Sequence, residues 1–402
     1  MKSSKAAVEG LEALRGRDLV VFSNDWDGDP LSKVHIMRIL ARDNRILWVN
    51  SIGNRAPKAN AHDLQRIWKK LSSFTEGIRE VEPNLFVLAP LAIPFYGSPR
   101  VRVANRVLLR LQILRAMRAL NFNDVISWSF LPASAPVSGT LGEKMVVYHC
   151  VDEFSAFADT NGQHIAELEH QLLLKADLVI TSAERLRDNK IKVNPHTVLV
   201  RHGVDFNHFV KACDPATIVP AELARLPKPV VGFFGLVAEW LDFDALVACA
   251  KAHPEGSVVL IGKVAPDADI SPLKGIPNVH FLGRKPYADL PAYCRGFDVG
   301  ILPFKWNELT LNSNPLKVRE YLAAGLPCVA TALPEVEKVG LCVLAKTVPE
   351  YVQAVDACLK DPGPQRARAE RIFHESWDAR ADDIRRHVSE AWVRKYGTRS
   401  GA

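Results

Sequence analysis

The sequence predicts an α/β protein of two units, each with a parallel β-sheet wrapped by helices. Short apolar runs alternate with helical patterns, as crossover connections between parallel strands require. The alternation weakens over residues 207–229, which contain four prolines, and then restarts. The length of 402 residues also suits two domains of ordinary size.

The first unit is predicted to open with an apolar strand and a helix. Residues 18–23 (DLVVFS) form a short apolar run, which is typical of a buried parallel strand. Pro30 then begins a helical pattern over 30–43, because proline is favoured in the first turn of a helix. Further strands are predicted at 45–50, 85–89, 124–128, 144–148 and 178–182.

The second unit repeats this organisation. Its strands are predicted at 230–234, 257–261, 280–282, 299–302 and 328–330. Two such units predict two Rossmann-like domains facing across a cleft, since these folds bind ligands beyond the carboxyl ends of their strands. The stretch 207–229 is interpreted as the linker.

The composition excludes several classes of protein. Apolar residues make up 48% and charged residues 24%, as in ordinary soluble proteins. No apolar run approaches the length of about 18 residues that a membrane span needs, and the N-terminus lacks the apolar core of a secretory signal. The seven scattered cysteines are interpreted as reduced thiols of a cytoplasmic protein. There is no HExxH, GxSxG or phosphate-binding GxxxxGK[ST] motif, and no metal site is predicted.

The positive charge is concentrated in the first unit. The net charge is +6, and residues 58–120 alone carry +7. Residues 99–120 contain six arginines, no acid and many interleaved apolar residues, which favours binding to an anionic membrane surface and not to nucleic acid. The side chains predicted to meet the membrane are Arg102, Arg106, Arg110 and Trp68. The alternative is a domain helix with one solvated arginine face.

A helix that follows Asn312 has the residues of an anion-binding site. Pro315 suits its first turn, and Gly325 ends it. Lys317 and Glu320 share one helix face. Lys317 and the N-terminal amides suit a diphosphate, and a carboxylate suits ribose hydroxyls. The alternative is a surface helix with an incidental ion pair.

This segment, PLKVREYLAAGLPCVA, resembles the signature of GT-B nucleotide-sugar glycosyltransferases, especially the retaining family 4. VRHGVDFNHF, PVVGFFGLVAEW, VVLIGK and NVHFLGRKPYADLPAYCRGFDVGILPF match further segments of that family in order. The resemblance implies an N-terminal acceptor domain (1–210), a C-terminal donor domain (228–376) and a final helix (377–402) that crosses back to the N-terminal domain. It also implies a UDP- or GDP-type sugar donor with no cofactor or metal.

The same resemblance implies the donor-site residues. Lys317 would meet the diphosphate and Glu320 the ribose. Asn312 stands where the family usually has the first Glu of Glu-x7-Glu, a departure that bears on the sugar and the mechanism. Flanking donor contacts are expected from Gly235, Leu236, Arg284, Lys285, Asn312 and Asn314.

The segment VVYHCVDEF (146–154) places titratable groups at the end of a predicted strand. The wider pattern resembles bacterial exopolysaccharide transferases, including the xanthan-type glucuronosyltransferase, in which an aspartate of the N-terminal domain is the base. The resemblance implies that Asp152 is the acceptor base. It makes His149 a donor-sugar or acid/base partner. The alternative is that Asp152 caps a following helix.

The loop SNDWDGDPLSK (23–33) follows the first strand. Asp25, Trp26 and Asp27 are predicted to bind the acceptor through carboxylates and ring stacking. The alternative is a helix entry capped by Asp29.

These features predict a hexosyl- or glucuronosyltransferase that acts on a lipid-linked or saccharide acceptor in exopolysaccharide or cell-surface glycan synthesis. We expect it to lie peripherally on the inner membrane face. Two alternatives remain: a catalytically inactive GT-B scaffold of a polysaccharide-assembly complex, and a nucleotide-sugar 2-epimerase.

Overall fold

The computed structural model describes residues 14–51, 77–93, 99–157, 162–266 and 268–397. They divide into two compact units. The first comprises the described residues up to Arg201 together with those from Arg380 onward, and the second comprises His202–Ala379.

The first unit is built on an eight-stranded sheet with the order β3-β4-β2-β1-β5-β6-β7-β8. All its neighbouring strands are parallel except β3, which pairs antiparallel with β4. The chain adds β2, β4 and β3 on one side of β1 and then adds β5 to β8 on the other side. The strand order therefore reverses between β1 and β5. The strands are β1 (Asp18–Phe22), β2 (Arg45–Val49), β3 (Ile78–Glu82), β4 (Leu85–Leu88), β5 (Ile126–Ser129), β6 (Met145–Cys150), β7 (Leu178–Thr181) and β8 (Thr197–Leu199).

Helices pack against this sheet through their apolar faces. The second of them buries Leu109, Ile113 and Ala116 against Val20 and Leu47 of the central strands. The described helices of this part of the chain are α1 (Ser32–Leu40), α2 (Pro99–Ala119), α3 (Gly162–Lys175) and α4 (Glu184–Lys190).

The second unit has a six-stranded parallel sheet with the order β11-β10-β9-β12-β13-β14. Here the strand order reverses between β9 and β12. All five residues of β9 and of β10 are buried, as expected for strands covered on both faces. The strands are β9 (Val230–Phe234), β10 (Ser257–Ile261), β11 (Val279–Gly283), β12 (Val299–Leu302), β13 (Cys328–Thr331) and β14 (Val343–Ala345).

The helix predicted after Asn312 is present and begins at Leu316, with Pro315 as its N-cap residue. It ends where predicted, because Gly325 has a φ of 74°, which favours glycine. The described helices of the second unit are α5 (Phe206–Phe209), α6 (Ala221–Ala224), α7 (Phe243–Ala252), α8 (Leu290–Gly296), α9 (Glu308–Leu311), α10 (Leu316–Ala323), α11 (Pro334–Glu337), α12 (Val348–Cys358) and α13 (Arg366–Glu370).

The linker predicted over 207–229 is wrong. This segment contains the end of α5, a 3-10 turn (Val210–Cys213) and α6. Phe209 and Leu223 are buried in the core of the second unit. Helices of four residues are too short to produce a recognisable apolar periodicity, and four prolines in the same segment favour the prediction of a linker.

The last helix, α14 (Trp377–Tyr396), returns the chain to the first unit. Arg385 Nη2 lies 3.1 Å from Asp43 Oδ2, and Lys395 Nζ lies 2.8 Å from Asp177 Oδ2. The predicted return of the C-terminal helix is therefore confirmed. Across the parts of the chain that the structure describes, none of the helices has the length and hydropathy needed to cross a bilayer.

Candidate functional site

Two glycines meet at the carboxyl ends of β9 and β10 in the second unit. Gly235 has a φ of 147° and Gly262 a φ of 149°, a region that L side chains rarely adopt. A Cβ on Gly262 would lie 1.7 Å from the carbonyl oxygen of Gly235, so the two backbones are in direct contact. Gly235 was predicted as a donor contact, and Leu236 beside it is 45% exposed.

Lys317 and Glu320 lie next to this glycine pair. Their Nζ and Oε2 atoms are 3.0 Å apart, and the Lys317 ammonium lies 5.1 Å from the centre of the Phe234 ring. A Cβ on Gly235 would be 3.3 Å from Lys317 Cε. The structure therefore brings the predicted residues Lys317, Glu320 and Gly235 together at the carboxyl ends of the inner strands.

Tyr321 fixes α10 to β9. The backbone N–H of Phe234 donates to Tyr321 Oη over 3.0 Å, and the two rings pack edge to face. Tyr321 is fully buried. This contact sets the position of the helix that carries Lys317 and Glu320 relative to the glycine loop.

The two predicted asparagines lie in the loop before α10, and both are buried. The Asn312 side-chain amide donates to the backbone oxygen and to Oε1 of Glu308, each at 2.7 Å. Asn314 Oδ1 accepts from Arg319 Nη1 at 2.7 Å. These contacts shape the loop, and a direct donor contact of either residue stays a prediction.

Arg284 and Lys285 follow β11 at the edge of the sheet. Arg284 is exposed. Lys285 Nζ lies 2.5 Å from Glu222 Oε1, and Glu222 also accepts from Tyr293 Oη. The hydrogen bond to Glu222 raises the pKa of Lys285. Its charge is therefore paired with a carboxylate, as that of Lys317 is, and a diphosphate contact of Lys285 stays a prediction.

In the first unit, Asp152 and His149 end in different environments after β6. His149 is 1% exposed and packs against the rings of Phe130 and Trp128, with centroid separations of 4.9 and 6.1 Å. Asp152 lies in the loop beyond the strand and is partly buried. Burial raises the pKa of Asp152 to about 6, although the charge of Lys33 opposes this shift. A base whose pKa lies near neutrality is matched to proton transfer.

Lys33 is the residue of this group that the sequence analysis missed. It is 8% exposed, and its Nζ donates to Asn24 Oδ1 over 2.5 Å. Burial lowers the pKa of Lys33 to about 8, and the Asp152 carboxylate acts in the opposite direction. Lys33 therefore binds the loop after β1 and interacts electrostatically with Asp152.

A buried ion-pair network supports the Asp152 loop from behind. Lys190 Nζ lies 2.9 Å from Glu153 Oε2 and 2.8 Å from Glu169 Oε2. Tyr148 Oη donates to Glu169 Oε1 at 2.6 Å. Glu153 is the N-cap residue of the following 3-10 turn, so Asp152 is not a helix cap.

The predicted acceptor loop divides into exposed and buried residues. Asp25 and Asp27 are exposed, and Asp27 Oδ1 lies 2.9 Å from Arg79 Nη2. Trp26 is only 9% exposed and packs edge to face on Trp48. The Trp26 ring is therefore part of the core, and neither face of the ring is open for the predicted stacking on a sugar. The following helix begins after Leu31, so Asp29 does not cap it.

The predicted basic helix is α2. Arg102, Arg106 and Arg110 are exposed, and Arg110 Nε donates to the carbonyl oxygen of Thr140 at 2.8 Å. The helix also exposes three apolar residues that are spaced four apart and so form a stripe along one face. They are Val103, Val107 and Leu111, with exposed fractions of 64%, 52% and 52%. Trp68 lies outside the described residues.

Comparisons with known proteins agree with this architecture. Residues 228–361 match the family described as "Glycosyl transferases group 1". The chain is 26% identical over 279 residues to TuaH of Bacillus subtilis strain 168, a glycosyltransferase assigned to teichuronic acid biosynthesis; the match spans 65% of this chain and 67% of that protein.

Solved structures show the same fold. Sucrose-phosphate synthase from Thermosynechococcus elongatus superposes with a TM-score of 0.69 at 15% identity, covering 94% of this chain and 100% of that one. Anabaena HepE in complex with UDP-glucose superposes with a TM-score of 0.57 at 15% identity, covering 94% of this chain and 98% of that one. The chain therefore has the GT-B fold, and its residues 228–361 are similar to the group 1 glycosyltransferases.

Proposed function

We propose that this glycosyltransferase moves a hexosyl or glucuronosyl group from a UDP- or GDP-type nucleotide sugar to a lipid-linked or saccharide acceptor. The product would belong to a bacterial exopolysaccharide or cell-surface glycan. The observation that carries the proposal is the Lys317–Glu320 pair beside the Gly235–Gly262 contact. The similarity to TuaH, which is assigned to teichuronic acid biosynthesis, supports the class of product.

The second unit would hold the donor. The absence of a side chain at Gly262 lets its backbone pack directly on Gly235, and a diphosphate would bind beside this contact at the carboxyl ends of the strands. Lys317 would neutralise the diphosphate charge, assisted by the N-terminal amides of α10. The Glu320 carboxylate would accept hydrogen bonds from the ribose hydroxyls.

The reaction breaks the bond between the anomeric carbon and the diphosphate oxygen and joins that carbon to an acceptor hydroxyl oxygen. Asp152 would take the proton of that hydroxyl, and the nucleotide diphosphate would leave with the bonding electron pair. With Lys317 compensating the leaving charge, the proposal includes no cofactor or metal ion. Chelation with EDTA should therefore leave turnover unchanged.

The exposed face of α2 would hold the protein on the inner membrane face. Its apolar stripe is flanked by arginines, and each basic residue near an anionic leaflet contributes about 1 kcal/mol. Replacing Val107 and Leu111 by Glu should reduce sedimentation with phosphatidylglycerol liposomes. Sedimentation equal to that of wild type would show that another surface meets the membrane.

The function is tested by nucleotide diphosphate release from a panel of UDP- and GDP-sugars, with membrane lipid extract as acceptor. Asp152→Asn should lower release by at least about a hundredfold, the lower end for a general base, and leave nucleotide diphosphate affinity unchanged. Asp188→Asn, an exposed carboxylate of the same unit, is the matched control. Nucleotide binding without release from any donor would refute transfer and favour the inactive scaffold.

A further inference from the structure

The first unit contains a cavity of about 620 Å³ at the carboxyl ends of β1 and β2. It is lined by residues that follow β1, β2 and β5, together with α2 and the start of α3. The strand order reverses between β1 and β5, and open α/β sheets bind ligands at such a reversal. The volume is within the range of roughly 300–1,000 Å³ typical of small-molecule sites.

One part of the cavity wall is suited to an anion. Arg102 and Arg106 line it, and neither forms an ion pair with another described residue. The first turn of α3 also lines it through Gln163 and His164, so the positive end of a helix dipole is present. The one acid among the described lining residues, Glu167, lies 3.8 Å from His164 Nδ1.

A buried hydroxyl in the same wall has no partner. Ser23 is 1% exposed, lines the cavity, and its Oγ forms no hydrogen bond with any described residue. A buried polar group without a partner is costly, and a ligand oxygen would satisfy it. The neighbouring Asn105 differs, because its side chain already exchanges two hydrogen bonds with the backbone of Ile93.

The rest of the wall is apolar. It includes Leu109, Leu131, Val137, Ile165 and Leu168. A free phosphate would leave this surface unused, and a hydrocarbon would leave the arginines unused. The two halves of the wall fit a molecule that joins a phosphate group to a hydrocarbon chain.

We infer that this cavity binds the phosphate end of a single-chain lipid phosphate, with Arg102, Arg106 and Ser23 on the phosphate oxygens and the first hydrocarbon units on the apolar wall. The inference rests on the proposed function, in which this lipid carries the acceptor sugar. It gives Arg102 and Arg106 a role in recognising the acceptor, distinct from adhesion of the α2 stripe to the bilayer.

Calorimetric titration with geranyl diphosphate tests the site, because this short lipid diphosphate stays dissolved. Inorganic pyrophosphate and geraniol test the two halves separately, and dihexanoyl phosphatidylglycerol tests a general phospholipid. Geranyl diphosphate should bind at least tenfold more tightly than each of the three. Equal binding of pyrophosphate would overturn the apolar half, and equal binding of the phospholipid would overturn the choice of lipid. Absence of geranyl diphosphate binding would overturn the whole inference.

Variants locate the binding. Arg102→Gln with Arg106→Gln should weaken geranyl diphosphate at least tenfold, since two charge-assisted contacts are lost. Arg115→Gln with Arg118→Gln removes the same charge from the same helix outside the cavity and should change affinity less than twofold. Equal losses of affinity in the two double variants would show that the arginines act only through the net charge of the helix, and would overturn the assignment to the cavity.

A cavity-filling variant keeps both arginines. Ala133→Trp should weaken geranyl diphosphate more than pyrophosphate, and equal weakening would contradict the apolar half. A circular dichroism spectrum and a thermal unfolding curve equal to those of wild type check that the first unit of each variant is folded. Arginine-dependent lipid binding without sugar transfer would leave the cavity standing and refute the proposed function. Sugar transfer to a lipid acceptor at an unchanged rate in the Arg102→Gln, Arg106→Gln variant would support the proposed function and refute the role of the cavity.

Discussion

The contact between Gly262 and Gly235 makes a sharp prediction about the donor site. In Gly262→Ala the new Cβ would lie 1.7 Å from the Gly235 oxygen, and it would be attached to a backbone with a φ of 149°. Restoring an ordinary separation of about 3.2 Å between the carbon and the oxygen moves one loop by about 1.5 Å, and a shift near 1 Å can cost about a hundredfold in a positioned site. We expect nucleotide diphosphate affinity to fall at least tenfold.

The variant should also lose stability, because a residue forced into a sparsely populated backbone region costs of order 1–3 kcal/mol. Gly275→Ala is the matched control: Gly275 has a φ of 82° in the same unit, and a Cβ there meets nothing within 4 Å. It shares the backbone strain without the clash, so it should lower the melting temperature and leave calorimetric nucleotide affinity intact. Wild-type affinity in Gly262→Ala would refute the idea that the two glycines shape the donor site.

Two further predictions concern charges. Asp152 acts as a base only when it is ionised, which requires a pH above its pKa of about 6. Lys33→Gln removes a charge that lowers this pKa, so the acidic limb of the release profile should move to higher pH, and an unmoved limb would contradict the coupling. Arg319 is 1% exposed and forms an ion pair with Glu375. Arg319→Met leaves the Glu375 carboxylate without its partner, so the free energy of unfolding measured by urea titration should fall by about 3–5 kcal/mol. A loss below about 1 kcal/mol would show that stability does not depend on this pair.

The sequence predicted the central strands well because their residues are buried on both faces. The run at 230–234 is observed with those bounds, and 18–23 extends one residue beyond the observed strand. The strands missed were β3, β8 and β14, which lie at or next to the sheet edges. Short and partly exposed edge strands such as IREVE and VLA lack a continuous apolar run, so periodicity does not detect them.

Site residues were predictable where the chemistry is local in sequence. Lys317 and Glu320 are three residues apart on one helix, and their 3.0 Å contact follows from that spacing. The electrostatic interaction of Lys33 with Asp152 depends on how α1 and the loop after β6 are placed, which no local pattern encodes. The contact of Gly262 with Gly235 depends likewise on the pairing of β9 with β10.

The central claim is that the second unit binds a nucleotide diphosphate through Lys317. Calorimetric titration of UDP and of GDP into wild type and Lys317→Ala tests it most directly, with Lys251→Ala, an exposed lysine of the same unit, as control. Loss of one charge-assisted contact costs about 1.5–3 kcal/mol, so Lys317→Ala should bind at least tenfold more weakly, and Lys251→Ala should match wild type. Equal affinity in all three proteins, or no binding of either nucleotide to wild type, would contradict the account.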